Sequence, residues 1–463
     1  MTSGHELSTL VVSPLPATAP PTSRRDGLWK VATGPTARQS FWAVLDQSLM
    51  SGANFLTSLM LARFCEPTEY GAYTLAFFLL LFLNALQATL LTNPMMVLGP
   101  ARDEEGFRRY ISSLAWAQAI GGAVLAALTV LVAAVALFSG RSEALSSSFL
   151  AMGAAVFFVQ AQEFCRRVLF ARMQTRRLAR NDAVYCGLQV VFLLLLWKLG
   201  GGVWNGSAAG YLSGRNVFLS LGLAAVAALA VGLIQIRPYL VTGRNACVTE
   251  TGRNACVTEN WQYARWGLGS LLGEFLHVQV NLSIVAAVAG AAATATMEAP
   301  RLILAPLNIL SFTCFNVLTP RAAEKYGRNG TPALVDFVKR VAPLAILPFI
   351  AYPLLIAAAP GFWLSMLYQD RYSGAGSVLL LWAASFSVAG LRVLPWIVVS
   401  VLRRPDIAMW ASLSVGLLIV ALSLGLTPAF GPGGAVAARL IGDVVYLAAG
   451  WIVAWRLLRR RSE

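Results

Sequence analysis

The chain has 463 residues, of which 57% are hydrophobic and only 12% are charged, and its net charge is +15. A soluble fold could not bury so much apolar surface, so the composition excludes a soluble globular protein and favours helices in a membrane. Because only His5 and His277 occur and the six cysteines lack metal-type spacing, the sequence also excludes a multi-histidine metal centre and argues against a zinc site or a disulfide framework.

Residues 1–37 are rich in Pro, Ser and Thr, which predicts a disordered tail rather than a signal peptide. Twelve apolar segments follow, each near the ~20 residues that a helix needs to cross the hydrocarbon core. Only helices or closed barrels satisfy their backbone in lipid, so we expect all twelve to be helical. Their predicted limits are 40–62, 72–98, 111–138, 145–170, 183–199, 208–235, 263–289, 295–319, 341–360, 377–401, 407–428 and 435–457.

The cationic residues are distributed unevenly over the connections between these spans. When the connections alternate, 28 of the 36 Lys and Arg fall on one side, together with both chain ends. Cytoplasmic loops retain cationic residues, so this side is predicted to face the cytoplasm. The same rule accounts for the net charge through anionic lipid headgroups, and we expect no nucleic acid partner.

The longest internal connection, at about 236–262, divides the spans into two sets of six. The predicted fold class is therefore an all-α polytopic membrane protein with about 12 transmembrane helices in two six-helix lobes. The lobes are expected at 38–235 and 263–458, and a second cytoplasmic tail at 459–463. Two equal halves are typical of transporters built around a central site.

The same connection contains an identical tandem repeat, TGRNACVTE, at Thr242–Glu250 and Thr251–Glu259. Two copies of nine residues are too few for a repeat architecture. A duplication tolerated in a solvent-exposed loop accounts for the repeat, and a functional role for the paired Cys247 and Cys256 is the alternative.

Polar side chains recur at helical spacing in spans 1 and 2. Neutral hydrogen-bonding groups suit the hydroxyls of a sugar and would line a wet cavity in the first half. The candidate residues for this cavity are Gln47, Asn54, Asn84 and Gln87. Asp46 lies to one side of the span 1 stripe and is a candidate for ion coupling. Polar residues also mediate ordinary helix packing in membranes, so both interpretations stay open.

Span 7 carries a second polar stripe. Glu274 and His277 share a helix face with Ser270 and lie near the middle of the bilayer. A buried carboxylate beside an imidazole can exchange protons near neutral pH, as ion-coupled transport requires. Glu274 and His277 are therefore candidates for coupling to H+ or Na+, and a locked polar pair that braces the bundle is the alternative.

Four Arg residues fall inside predicted spans, where a charge costs about 2.5–3.5 kcal/mol and needs a partner, a cavity or a function. Acidic residues one helical turn away predict the local contacts Arg439–Asp443, Glu298–Arg301 and, at the end of span 4, Glu163–Arg166–Arg167. Arg215 and Arg392 have no acidic residue within four positions. An unpaired guanidinium in a central cavity could grip a phosphate bidentately, and a partner on another helix is the alternative.

No motif of a nucleotide-driven or hydrolytic enzyme occurs. None of the four Lys follows Gly, so the phosphate-binding loop GxxxxGK[ST] is absent, as are GxSxG, HExxH and DxDxDG. We therefore expect no catalytic residues, no enzyme activity and no cofactor beyond possible H+ or Na+ coupling. Any transport must draw on an ion gradient, the membrane potential or a partner.

Three stretches resemble the polysaccharide and O-antigen flippases of the multidrug/oligosaccharidyl-lipid/polysaccharide exporter superfamily. They are DQSLMSGANFLTSLMLARFCEPTEYGAYTLA at Asp46–Ala76, ENWQYARWGLGS at Glu259–Ser270 and PRLILAPLNILSFTCFNVLTPRAAEKYG at Pro300–Gly327. With the layout of the spans, the resemblance covers about residues 38–458. It implies two six-helix lobes in a V around a solvated cavity and alternating access. The implied cargo is an undecaprenyl-type, pyrophosphate-linked oligosaccharide, carried from the cytoplasmic to the outer leaflet.

In these relatives a cationic cavity receives the lipid pyrophosphate, which makes Arg215, Arg301 and Arg392 the candidate residues here. The resemblance also implies a polysaccharide polymerase and glycosyltransferases of the same pathway as partners. A multidrug or small-cation exporter of the same superfamily stays open, although it would favour a cavity dominated by carboxylates. A membrane-embedded polysaccharide polymerase or ligase is less favoured, because the longest outer connection, about 361–376, has only Asp370 and Arg371 as charges.

Overall fold

The computed structural model describes residues 35–100, 102–138, 143–199, 212–241, 250–369, 371–402 and 404–460, with side chains from residue 49 onward except at scattered positions. Several expectations lie outside the described residues: the tail at 1–34, most of the first repeat copy, and the side chains of Asp46, Gln47, Cys247 and Cys256. Every regular element in the described part of the chain is helical, which confirms the predicted all-α polytopic fold class.

The α-helices form one series along the chain. They are α1 (Pro35–Phe64), α2 (Pro67–Gln87), α3 (Asn93–Leu98), α4 (Glu104–Phe138), α5 (Glu143–Ala171), α6 (Thr175–Leu199), α7 (Gly214–Ile236), α8 (Glu250–Val278), α9 (Val280–Ala289), α10 (Ala291–Ile303), α11 (Pro306–Ala358), α12 (Pro360–Tyr368), α13 (Gly376–Leu391), α14 (Val393–Val401) and α15 (Pro405–Arg459). A π-helical turn, Ala88–Thr92, joins α2 to α3. The described residues contain eight helices long and apolar enough to cross a membrane, or nine if the bent pair α8–α9 is one span.

The two longest helices, α11 and α15, are each a pair of arms. A straight helix of this length would measure roughly 80 Å at about 1.5 Å per residue, far more than a membrane requires. Gly330 (φ 69°) and Gly431 (φ 58°) break them in the left-handed region that favours glycine. The arms of α15 fold back on each other, since Gly442 lies against Ile419 and Val415. When α11 and α15 are each counted as two arms, the helices follow the order of the predicted spans.

Three further breaks lie within spans of the second half. The helices α8 and α9 bend by 43° around Gln279. The break between α10 and α11 precedes Pro306, and the break between α13 and α14 at Arg392 precedes Pro395. Proline has no backbone N–H and therefore removes one helical hydrogen bond. The last of these breaks places the half-buried Arg392 between α13 and α14.

Helices of each half pack mainly on one another. In the first half, α4 packs on α5, and α7 packs on both α5 and α6. In the second half, α15 packs on α8, α9 and α13, and α11 packs on α13. The most extensive contact between the halves joins α2 to α10. The halves thus form two bundles, and the lobe limits at 38–235 and 263–458 remain our proposal.

At the end of the bundle where α2 begins, called the α2 end, the halves are in close contact. Gly71 packs against Ala291 so tightly that an added Cβ would lie 1.8 Å from the Ala291 carbonyl oxygen. The predicted outer connection contains α12, and after it the guanidinium of Arg371 donates to the Cys65 carbonyl in the α1–α2 turn. Cys65 itself is fully buried.

At the other end, where α4 begins, a different contact joins the halves. Arg102 forms an ion pair with Glu259, and the Tyr110 hydroxyl donates to Asn260 Oδ1 at 2.7 Å. The connection predicted at about 236–262 is helical in its last part, because α8 already begins at Glu250. Within α8, Glu259 at the end of the second repeat copy reaches Arg102 just before α4, and Asn260 reaches Tyr110 on α4.

The substitution Gly71→Val should keep the two halves apart at the α2 end, because a larger side chain collides with the Ala291 backbone. Burial raises the pKa of the Cys65 thiol, so Cys65 is unreactive while this end is closed. In a variant whose single cysteine is Cys65, Gly71→Val is expected to increase labelling by a thiol-reactive maleimide.

The matched control is Gly121→Val on α4, where an added Cβ meets no atom within 4 Å. This control should leave maleimide labelling unchanged. A folded Gly71→Val protein with unlabelled Cys65 would show that the halves close at the α2 end without this backbone contact.

Candidate functional site

A single carboxylate, that of Asp443, is the centre of a buried polar network in the second half. Asp443 lies midway along the second arm of α15, and its side chain is 0% exposed. Its Oδ1 is 2.8 Å from Arg392 Nη1 and 3.0 Å from His277 Nε2. Its Oδ2 accepts from Ser385 Oγ at 2.6 Å and from Arg439 Nε at 3.4 Å. Asp443 therefore links α8, α13, the α13–α14 break and α15.

Aromatic side chains form the wall of this network on the side of α14. The Arg392 guanidinium lies 5.3 Å from the ring centroid of Tyr446, and the His277 ring meets the same ring edge-on at 5.2 Å. Tyr446 in turn stacks on Trp396 at 4.4 Å. Because Tyr446 follows Asp443 by one helical turn, both side chains face the same interior. The rings exclude other groups from one side of the guanidinium.

A second ion pair lies next to the network, at the boundary between the halves. On α10, Arg301 Nε donates to Glu298 Oε2 at 2.5 Å. The Arg301 guanidinium lies 5.1 Å from the ring centroid of Phe78 on α2, which belongs to the first half. Arg301 and Arg439 each lie 5.9 Å from the ring centroid of Trp382. Trp382 thus connects the boundary ion pair with the Asp443 network.

The guanidinium cluster, defined as Arg301, Arg392 and Arg439, carries more charge than its carboxylate partners. Arg301 and Arg392 are both close enough to Arg439 for their positive charges to repel it. Against these three cations stand two buried carboxylates, Glu298 and Asp443. The cluster and its partners therefore have a net charge of about +1.

Each guanidinium of the cluster forms hydrogen bonds through only some of its nitrogen atoms. Arg392 uses Nη1 for Asp443 and His277, and Arg301 uses Nε for Glu298. Arg439 uses Nε for Asp443 and Nη1 for the Val278 carbonyl at the α8–α9 break, at 3.1 Å. Within the described part of the chain, no hydrogen bond engages Arg392 Nε or Nη2, Arg301 Nη1 or Nη2, or Arg439 Nη2. These N–H groups can bind an anion.

The structure bears on two expectations for this region. For Arg392, which has no acidic residue within four positions, the sequence left open both a phosphate-binding role and a partner on another helix, and Asp443, 51 residues later, is such a partner. The phosphate-binding role of Arg392 stays a proposal. Glu274 was expected beside His277, but Glu274 is exposed on α8, and the carboxylate that contacts His277 is Asp443, 166 residues away. Both partners are invisible to sequence spacing.

Arg215 does not belong to the guanidinium cluster. The helix α7 begins at Gly214, and the Ser213 hydroxyl accepts from the Asn216 N–H at 3.3 Å, which caps the helix start. The expectation of an apolar span from 208 placed Arg215 inside the membrane, whereas the structure places it, exposed, in the first helical turn. The helix α7 packs mainly on α5 and α6 of the first half, whereas Asp443 lies on α15 of the second half.

The polar candidates of the first half differ in exposure. Gln87 is 4% exposed, and its Nε2 donates to Gln118 Oε1 at 2.8 Å and to the Gln160 carbonyl at 2.7 Å. It therefore braces α2 against α4 and α5, as ordinary helix packing requires, rather than lining a cavity. Asn54 and Asn84 are half-buried, and Asn84 Oδ1 has no hydrogen-bond partner among the described residues. These two asparagines remain the sugar-binding candidates.

Contacts within one helical turn are confirmed where the sequence predicts them. They are Arg439–Asp443, Glu298–Arg301, Glu163–Arg166 and Glu163–Arg167. Sequence reasoning missed Ser385, Trp382 and Tyr446, which have no distinguishing spacing. The sequence predicted only the local Arg439–Asp443 pair. In the structure the same Asp443 also contacts Arg392 and His277.

No family model and no curated protein matches the chain. Its fold is nevertheless similar to that of solved transporters. The lipid II flippase MurJ, in an inward closed conformation, matches with a TM-score of 0.68 and 10% identity over 91% of this chain and 90% of that chain. A MATE in complex with MaL6 matches with a TM-score of 0.63 and 13% identity over 92% of this chain and 96% of that chain.

A transporter of the MOP superfamily from Pyrococcus furiosus matches with a TM-score of 0.60 and 13% identity, over 92% of this chain and 96% of that chain. The chain thus has the fold that MATE transporters and MurJ share. Together with the apolar helices, this fold identifies a multi-pass membrane protein.

Proposed function

We propose that the protein is a flippase that moves a pyrophosphate-linked, lipid-linked oligosaccharide from the cytoplasmic to the outer leaflet of a bacterial inner membrane. The guanidinium cluster carries this proposal. It places three anchored cations in the interior, with free N–H groups and an excess of positive charge. A planar guanidinium can donate two parallel hydrogen bonds to the oxygens of a phosphate, and such charged hydrogen bonds are strong where water is scarce.

The position of the cluster suits a cargo that crosses between the two halves. Arg301 contacts Phe78 of the first half, while Arg392 and Arg439 belong to the second half. In this proposal the cluster holds the pyrophosphate, and Asn54 and Asn84 face the sugar. MurJ, which has the same fold, is named a lipid II flippase, so the fold accommodates a lipid-linked cargo. A polymerase and glycosyltransferases of the pathway are the proposed partners.

A multidrug exporter is the second candidate, because MATE transporters have the same fold. A cationic drug needs a carboxylate that is free to bind it. Glu298 and Asp443 are each neutralised by arginine, which argues against a cationic cargo at the cluster. Glu274, exposed on α8, is the carboxylate that keeps this candidate open, and it also remains our proposed residue for ion coupling.

The deciding experiment is depletion of the protein from its host, followed by extraction of lipid-linked sugars. We expect one polyprenyl-pyrophosphate oligosaccharide to accumulate in a form that an impermeant reagent at the outer face does not modify. Re-expression of the wild-type protein should clear it. New sensitivity to cationic dyes without accumulation would instead identify a drug exporter. An accumulated lipid that the reagent does modify would identify a polymerase or ligase that acts after the flip.

A further inference from the structure

We propose, resting on the flippase function above, that Asp443 and His277 are positioning residues. They hold the guanidiniums of Arg392 and Arg439 toward the anionic cargo and carry neither a proton nor a cation during transport. This differs from a role in ion coupling, which the position of His277 in span 7 suggests from the sequence alone.

Asp443 cannot contact a cargo or a cation while the network is intact. Both of its carboxylate oxygens already have two partners, and the side chain is 0% exposed. Those partners come from three other parts of the fold as well as from α15 itself. Asp443 therefore acts through the groups that it orients, above all Arg392 and Arg439.

His277 contacts the same two groups with one nitrogen. Its Nε2 lies 2.8 Å from Arg392 Nη1 and 3.0 Å from Asp443 Oδ1. In the neutral ring, Nε2 either accepts from the guanidinium or donates to the carboxylate, depending on the tautomer. Arg392 and Asp443 are in direct contact, and in either tautomer the imidazole bonds one of them and packs against the other, so it supports the pair.

The charges around His277 favour the neutral ring. Arg392 and Arg439 face it as cations, and Asp443 faces it as the anion that both arginines already share. Tyr446 presents its ring, and Glu274, one turn earlier on α8, is exposed. A protonated imidazole would be a third cation beside one buried carboxylate, which Coulomb repulsion in a poorly solvated interior opposes.

Because only Nη1 of Arg392 is anchored, the other edge of the guanidinium can bind an anion. With Nη1 held by Asp443 and His277, the Nε and Nη2 edge of the guanidinium has no hydrogen bond within the described residues. The side chain starts from the break between α13 and α14 and is 21% exposed. An anchored fork loses less conformational entropy on binding than a free one, which increases affinity.

Inorganic pyrophosphate is the probe for this proposal, measured as the concentration dependence of the Tm of the purified full-length protein in detergent. Asp443→Asn keeps the shape of the side chain and releases the guanidiniums. Although it also adds one positive charge to the cluster, it should weaken pyrophosphate binding about 10- to 100-fold, as the loss of a hydrogen bond to a charged group does. The milder Ser385→Ala, which removes one hydrogen bond to Asp443, should weaken binding by about 3- to 10-fold and covers the case that Asp443→Asn does not fold.

The matched control is Asp182→Asn in the first half, because Asp182 is also fully buried and pairs with an arginine, Arg166. It should bind pyrophosphate as the wild type does, even if its Tm is lower. If Asp443→Asn and Ser385→Ala both bind like the wild type, positioning by Asp443 is refuted while the flippase function stands. If the wild-type protein does not bind pyrophosphate, the anion site fails and the positioning role fails with it.

The pH dependence separates positioning from proton transfer. His277→Gln keeps a donor and an acceptor but cannot be protonated. We expect its pyrophosphate affinity, divided by that of the wild type at each pH, to stay constant between roughly pH 5 and 8, where an ordinary imidazole titrates. The ratio cancels the titration of pyrophosphate itself. A ratio that changes across this range would show that His277 exchanges protons and would overturn the proposal.

Discussion

Replacing Arg392 with Gln is expected to slow transport of the lipid-linked oligosaccharide about 10- to 100-fold, because a hydrogen bond to a charged group contributes about 1.5–3 kcal/mol. The Arg392 guanidinium is held by Asp443 and His277 with its other edge free, so it has the geometry to bind two phosphate oxygens at once. The measurement is the rate at which reconstituted vesicles make a labelled lipid pyrophosphate oligosaccharide accessible at the opposite leaflet.

The variant Arg392→Lys distinguishes the shape of the guanidinium from its charge. Lysine can still neutralise Asp443, but it offers a point charge instead of a planar fork. Transport should therefore remain slow in Arg392→Lys while the protein stays folded. Full activity of Arg392→Lys would mean that charge alone suffices and that bidentate binding is not part of the mechanism.

The matched control is Arg215→Gln. Both arginines fall inside predicted spans and lack a local acidic partner, but Arg215 is exposed in the first turn of α7. We expect Arg215→Gln to transport at the wild-type rate. If Arg215→Gln is as slow as Arg392→Gln, then the interior cluster is not what recognises the cargo.

Asp443→Leu is expected to lower the free energy of unfolding by about 3–5 kcal/mol, the usual cost of removing one partner from a buried ion pair. The substitution leaves Arg392 and Arg439 without their carboxylate, and His277 and Ser385 lose a hydrogen-bond acceptor. Thermal or denaturant unfolding of the purified protein, in the same detergent as the wild type, measures this loss.

Two further variants control for the loss at Asp443. Asp406→Leu removes an exposed acidic residue that pairs with Arg404 at the start of the same helix, and we expect stability to remain unchanged. The double variant Arg439→Met/Asp443→Leu replaces two charges by apolar groups and should recover part of the loss. A loss below about 1 kcal/mol in Asp443→Leu, as in a surface pair, would contradict the buried network.

The contacts that the sequence anticipated are local. Arg439 and Asp443, four residues apart on α15, and Glu298 and Arg301, three apart on α10, meet because the helix period places them on one face. From the helix period the sequence placed Glu274 beside His277, whereas the carboxylate that contacts His277 in the structure is Asp443 on another helix.

The apolar segments and the distribution of Lys and Arg were sufficient by themselves to determine an all-helical, polytopic chain, because each span satisfies its own backbone and must match the membrane. Which side chains meet at the site was decided only by tertiary structure. The partners of Asp443 on other elements are 51, 58 and 166 residues away, and they meet because α8, α13 and α15 pack together around breaks whose geometry no local period encodes. The same packing gives Arg392 a buried carboxylate partner, whereas Arg215, which looks alike in the sequence, is exposed in the first turn of α7.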